Sequence, residues 1–117
     1  MLVTTVALFA VAALFGVYML FRVLKGAMPP WPAAILHGLF AATGLALLLY
    51  VAFASAAPAT LVLTAAAGLL VIAALGGFAL FSFHLRKQPP PRVLAGVHAF
   101  VAVSGFLCLA AATFLSA

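Results

Sequence analysis

Residues 35–44 read ILHGLFAATG, and residues 96–105 read GVHAFVAVSG. Both carry the frame His-x-x-x-Ala-x-x-Gly: His37, Ala41 and Gly44 in the first, His98, Ala102 and Gly105 in the second. The chain has 3 histidines, and two of them hold this frame. Each copy lies inside an apolar run long enough to cross a bilayer, which takes about 20 residues.

Working outward, the whole chain follows the same rule. Its 117 residues are 70% hydrophobic and 4% charged, with no Asp or Glu. A soluble domain needs charged residues at roughly a quarter of its positions. The composition therefore predicts an all-α integral membrane protein, a single membrane domain over residues 1–117. Run lengths predict four transmembrane helices, approximately over residues 2–24, 33–55, 60–84 and 93–116. The connections read RVLKGAMPPWP, SAAPA and HLRKQPPPR. Pro29, Pro30 and Pro32 break the chain after the first helix, and Pro89, Pro90 and Pro91 break it before the fourth. Proline suits a first helical turn, where its missing N–H has no helical partner anyway. No Lys or Arg precedes the first run, so it reads as a span and not as a signal peptide.

The five basic residues predict the topology. Arg22 and Lys25 lie in the first connection, and Arg86, Lys87 and Arg92 in the third. The positive-inside rule puts both connections in the cytoplasm and both termini on the other side. The expected location is a bacterial-type inner membrane, crossed several times. With no carboxylate in the chain, the cations must meet anionic headgroups, other membrane subunits or an anionic cofactor. Five charges flanking apolar helices do not make a nucleic-acid surface. Cys108 is the single cysteine, so it forms no internal disulfide and reads as a small apolar filler.

A gapless shift of 61 positions lays residues 1–56 on 62–117. It matches His37 with His98, Gly44 with Gly105, Gly16 with Gly77, and Pro29 and Pro30 with Pro90 and Pro91. Alanine and leucine identities come cheaply here, but aligned His, Pro and Gly do not. The chain reads as two tandem-duplicated helical hairpins. Both hairpins start on the same side, so the repeat is parallel, with a pseudo-two-fold axis along the membrane normal. His37 and His98 then share one depth.

Positions i, i+4 and i+7 fall on one helix face. One reading is packing: the Ala/Gly stripes let helices two and four touch, Gly16 and Gly77 serve contacts between helices one and three, and the histidines bond locally. The other begins from cost, because an ionisable group in a span is a functional candidate by default. Two facing imidazoles with small residues beneath them suit axial ligation of a haem iron, with Ala41, Gly44, Ala102 and Gly105 making room for the macrocycle. Lys25, Arg86 and Arg92, at the same end, would meet its propionates. This layout resembles the membrane b-type cytochromes, where histidines on two helices of a four-helix core clamp haem. Those proteins commonly carry two histidines per ligand helix. Here each has one, so the resemblance implies at most one haem b, with His37 and His98 as its metal ligands.

Function follows in two classes. One is a subunit of a respiratory or photosynthetic redox assembly, holding one haem for electron transfer. The other is an accessory or scaffold subunit without a cofactor, and a further alternative is a quinone or lipid pocket near the cytoplasmic face, lined by His37, His98 and His84. His84 has no counterpart under the shift and reads as an interfacial side chain with its polar end in water. Trp31 reads as an interfacial anchor. Thr43 and Ser104 should bond back to their own helices. No carboxylate, phosphate loop or nucleophile with a placed base is present, so the chain is not read as an enzyme.

Overall fold

The computed structural model describes residues 1–55 and 60–115. Four long helices are present: α1 (Leu2–Leu24), α2 (Trp31–Leu49), α3 (Leu61–Leu85) and α4 (Arg92–Phe114). Among the described residues there is no strand. A five-residue π-helical turn, Tyr50–Ala54, continues α2. All four helices are long and apolar enough to cross a membrane. The helices α2 and α4 each begin a residue or two earlier than the hydropathy runs suggest. The second connection falls almost wholly outside the described residues, as does Ser116.

The helix ends follow from local chemistry. Pro30 and Pro91 occupy the N-cap positions of α2 and α4 in extended conformation. Their carbonyls accept the first helical N–H groups, from Ala34 and Ala95. Thr60 caps α3 with its side chain, its Oγ1 accepting from the Leu63 N–H at 3.1 Å. The helices α1 and α3 close alike. Ala27 N–H donates to Arg22 O and Gly26 N–H to Val23 O after α1; Gln88 N–H donates to Phe83 O and Lys87 N–H to His84 O after α3. This is the Schellman arrangement, which needs a left-handed residue. Gly26 supplies it after α1 at φ 78°, and Lys87 supplies it after α3 at φ 57°.

The bundle measures 44 × 20 × 19 Å between Cα extremes. Contacts run round a square, α1 to α2 to α3 to α4 and back to α1, and are closest within α1/α2 and α3/α4. The helices α2 and α4 therefore stand on a diagonal and do not form the Ala/Gly seam that the sequence suggested. Burial recurs at the 61-residue offset: Thr5 and Ala66, Phe9 and Leu70, Ala12 and Ala73, Gly44 and Gly105, Leu48 and Leu109 are all buried. The apolar core, built on Phe9, Leu48, Leu63, Leu70 and Leu109, fills the half of the bundle away from the basic connections. The histidines occupy the other half.

Candidate functional site: the paired imidazoles

His37 lies on α2, six residues past Trp31, which is about 9 Å along the helix. His98 holds the same place on α4. Each reaches back to the first helix of its own hairpin. His37 Nδ1 stands 2.7 Å from the Ala12 carbonyl oxygen, and His98 Nδ1 2.8 Å from that of Ala73. A carbonyl only accepts, so the hydrogen sits on Nδ1 in both rings and Nε2 carries the free lone pair.

A glycine makes each of these bonds reachable. Side chains on a helix tilt towards its N-terminus, so residue i+4 overhangs the carbonyl of residue i. Gly16 stands four residues after Ala12, and Gly77 four after Ala73. A Cβ added at Gly16 would lie 3.0 Å from His37 Cε1 and 3.3 Å from its Nδ1. At Gly77 it would lie 3.3 Å from His98 Cε1. These glycines thus expose a carbonyl to an imidazole, and do not serve the α1–α3 contact expected of them. Gly76 adjoins the His98 ring as well.

The two rings meet across the diagonal. Their centroids are 6.3 Å apart and their planes make an angle of 79°. Among the described residues neither Nε2 has a hydrogen-bond partner. Neither is sealed in, because among the described residues no fully buried side-chain nitrogen or oxygen lacks a partner.

The stripe below each histidine is filled by its own hairpin. A Cβ at Gly44 would meet the Phe9 ring at 3.0 Å, and one at Gly105 would meet Leu70 Cγ at 2.8 Å and Leu69 Cβ at 3.1 Å. Ala41 is half-buried against the apolar core, and Ala102 is half-buried on α4. The imidazole pair thus has the spacing that axial ligation of an iron calls for. The space assigned to the macrocycle is occupied by Phe9 and Leu70, and the rings themselves rest on the glycines of α1 and α3. As packed, these residues do not fit a haem.

The cations do not gather at the histidines. Arg86 turns along α3, with Nε 3.3 Å from the Ser82 carbonyl oxygen and its guanidinium 4.5 Å above the Phe83 ring. Arg92 lies against the first connection, 3.4 Å from where a Gly26 Cβ would be. Lys25 is exposed. Thr43 and Ser104 each donate to the carbonyl four residues earlier, Leu39 and Phe100, at 2.8 Å. Among the described residues no group of three or more His, Cys, Asp or Glu is placed to hold a metal ion.

His84 stands in the last turn of α3 with its ring covered, while its nitrogens are not among any fully buried polar atoms left without a partner. It is 3% exposed, with its ring edge-on to Trp31 at 4.0 Å and stacked on Phe81 at 6.1 Å. Trp31 also meets Phe81 edge-on at 5.8 Å. This aromatic seam ties the start of α2 to the end of α3. Two grooves, of about 320 and 470 Å³, open at the far end of the bundle near Thr60 and Ala111 and near Met1 and Thr113, and no histidine lines either.

Compared with protein-family models, with curated proteins and with solved structures, the chain matches none.

Proposed function

We propose that this chain is a multi-pass membrane protein, made by tandem duplication of one hairpin, that serves as a haem-free accessory subunit of a larger membrane assembly. The observation that carries this reading is the clasp. Each imidazole donates through Nδ1 to a carbonyl of its hairpin partner, over a glycine that makes the approach possible. In a bilayer no water competes for such groups, and an interhelical hydrogen bond is worth roughly 0.6–2 kcal/mol. A histidine bonded in this way holds a hairpin together whether or not a cofactor is present.

The remaining features agree with a scaffold. The connections between the apolar runs are short. Large apolar side chains such as Leu14, Leu39, Phe78 and Phe100 cover the outer faces, where lipid tails or partner helices would meet them. Five cations stand at one end with no carboxylate in the chain to pair with them. By the positive-inside rule that end faces the cytoplasm and both termini the other side. The equal burial and equal clasps at the 61-residue offset support the duplication.

The test is a reduced-minus-oxidised absorption spectrum of the protein purified in mild detergent from cells supplied with haem. The expected result is no α-band, together with loss of helical stability in His37→Ala and His98→Ala. A sharp band at one haem per chain would overturn the reading and restore a redox subunit with His37 and His98 as axial ligands.

A further inference from the structure

The clasp uses one nitrogen of each imidazole and leaves the other. In both rings Nδ1 faces the helix of its own hairpin, and Nε2 is the ring nitrogen farther from that helix: from the Cβ position of Gly16, His37 Nδ1 is 3.3 Å away and Nε2 4.0 Å. Two lone pairs, one from each partly buried imidazole, are thereby held at one level of the bundle. Among the described residues neither has a donor to accept from.

We propose that Nε2 of His37 and Nε2 of His98 together bind a single monovalent metal ion, copper(I) by its chemistry, which staples the two hairpins across the diagonal. The first argument is distance. About 2 Å from each nitrogen to the ion, and about 1.1 Å from nitrogen to ring centroid, give a centroid separation of about 6.2 Å for two imidazoles sharing one ion. The observed separation is 6.3 Å, which one ion spans when both Nε2 atoms turn onto the line between the rings. The 79° between the ring planes is no obstacle, because a two-coordinate ion lets each ring turn about its own metal bond. The second argument is the hydrogen bond at Nδ1. A ligating histidine commonly donates its other N–H to a carbonyl or carboxylate, which fixes the tautomer and raises the basicity of the ligating nitrogen. Both rings already have that arrangement.

The third argument is charge. The donors are neutral and the chain contains no Asp or Glu. The cost of bringing an ion into a low-dielectric interior grows with the square of its charge, so a divalent ion costs about four times as much as a monovalent one. Imidazole suits copper, and a closed-shell monovalent ion is satisfied by two donors in line. A magnesium or calcium ion would find no oxygen ligands here. The site goes beyond the accessory role, adding a bond between hairpins where each clasp acts only within one.

The experiment uses the full chain in mild detergent. The protein is loaded with silver(I), or with copper(I) under reductant, freed of excess ion by gel filtration, and its metal counted by mass spectrometry. The expected result is one ion per chain, a raised thermal midpoint, and an X-ray absorption spectrum showing two nitrogen neighbours at about 2 Å. The discriminating variants are His37→Gln and His98→Gln. A glutamine amide can still donate to the Ala12 or Ala73 carbonyl, but its nitrogen has no lone pair for a metal. Each should keep its helix content and lose the ion, while His84→Ala and Cys108→Ala keep it. No loading of the wild-type chain would overturn the proposal in favour of a water molecule donating to both Nε2 atoms. Loading that persists in both glutamine variants, or that disappears with Cys108→Ala, would overturn it too. The haem spectrum decides the accessory reading separately, since a metal-free chain and a haem-free chain are different results.

Discussion

Gly16→Ala is the sharpest probe of the clasp, because two opposing effects meet at one added carbon. The new Cβ would lie 3.0 Å from His37 Cε1, where ordinary contacts begin at 3.4 Å. The ring must therefore retreat by at least 0.4 Å, the difference between those two distances. The 2.7 Å bond to the Ala12 carbonyl lengthens with it. Half or more of an interhelical bond worth roughly 0.6–2 kcal/mol is then lost, so about 1 kcal/mol. Against this, alanine is a better helix former than glycine by up to about 1 kcal/mol. The single substitution should consequently look nearly neutral. The clasp appears only in a double-mutant cycle with His37→Ala. Without the imidazole nothing opposes the new methyl, and Gly16→Ala should stabilise by up to about 1 kcal/mol. The expected coupling between the two positions is about 1 kcal/mol, above the 0.3–0.5 kcal/mol scatter of independent sites. Gly16→Val, which a small retreat cannot accommodate, should push the coupling towards the full bond, about 2 kcal/mol. The assay is unfolding in mixed micelles by increasing sodium dodecyl sulfate, followed by far-ultraviolet circular dichroism. Gly38→Ala is the control, since nothing lies within 4 Å of its Cβ position. Equal effects of Gly16→Ala with and without His37 would refute the claim that this glycine exists to expose a carbonyl.

The same assay checks three more substitutions. Gly105→Ala should cost about 1–3 kcal/mol by overpacking, and more than Gly44→Ala. Its Cβ would meet the buried Leu70 at 2.8 Å and Leu69 at 3.1 Å, whereas Gly44 faces the edge of one ring. Lys87→Gly should stabilise by about 1 kcal/mol, because Lys87 holds the left-handed position that Gly26 fills after α1. His84→Ala should cost about 2–3 kcal/mol, combining a lost edge contact with a cavity under Trp31, and should move the emission of the single tryptophan to longer wavelength as water reaches it.

Run length and composition made the four helices legible, since no other arrangement satisfies the backbone of such apolar segments. The matched His and Gly positions made the pair at a common depth legible too. What the sequence hid was the partner of each residue. A stripe at i, i+4 and i+7 says which side chains share a face, but not which helix that face meets. The diagonal placement of α2 and α4 decided it, sending Gly44 against Phe9 and Gly105 against Leu70. The role of Gly16 and Gly77 was signalled by their spacing of four from Ala12 and Ala73. That spacing acquires meaning only once an imidazole is known to stand opposite. For His84, a position at a helix end beside Arg86 and Lys87 was legible, but the covering of its ring was not. Its burial depends on Trp31, which is distant in sequence and adjacent in space.

The departures from regularity at the 61-residue offset fall in an informative place. Where the rings meet, the two halves agree: a histidine, a carbonyl acceptor and a glycine in each. At the basic end they part. Buried His84 answers to buried Val23, and Trp31, which covers His84, answers to Arg92, which lies against the first connection. One side of the bundle is thus closed by an aromatic seam and the other carries an exposed guanidinium. Residues that differ between the halves can answer to distinct neighbours, one apolar and one anionic, while the residues that agree repeat the same clasp in each hairpin. A clasp within a hairpin needs one histidine and would work equally well at different depths in the two halves. Placing both rings at one level, 6.3 Å apart, brings two like acceptors together. A single donor or cation lying between them would serve both. Duplication by itself sets both rings at one level; it is their approach to 6.3 Å across the diagonal that lets one occupant serve both.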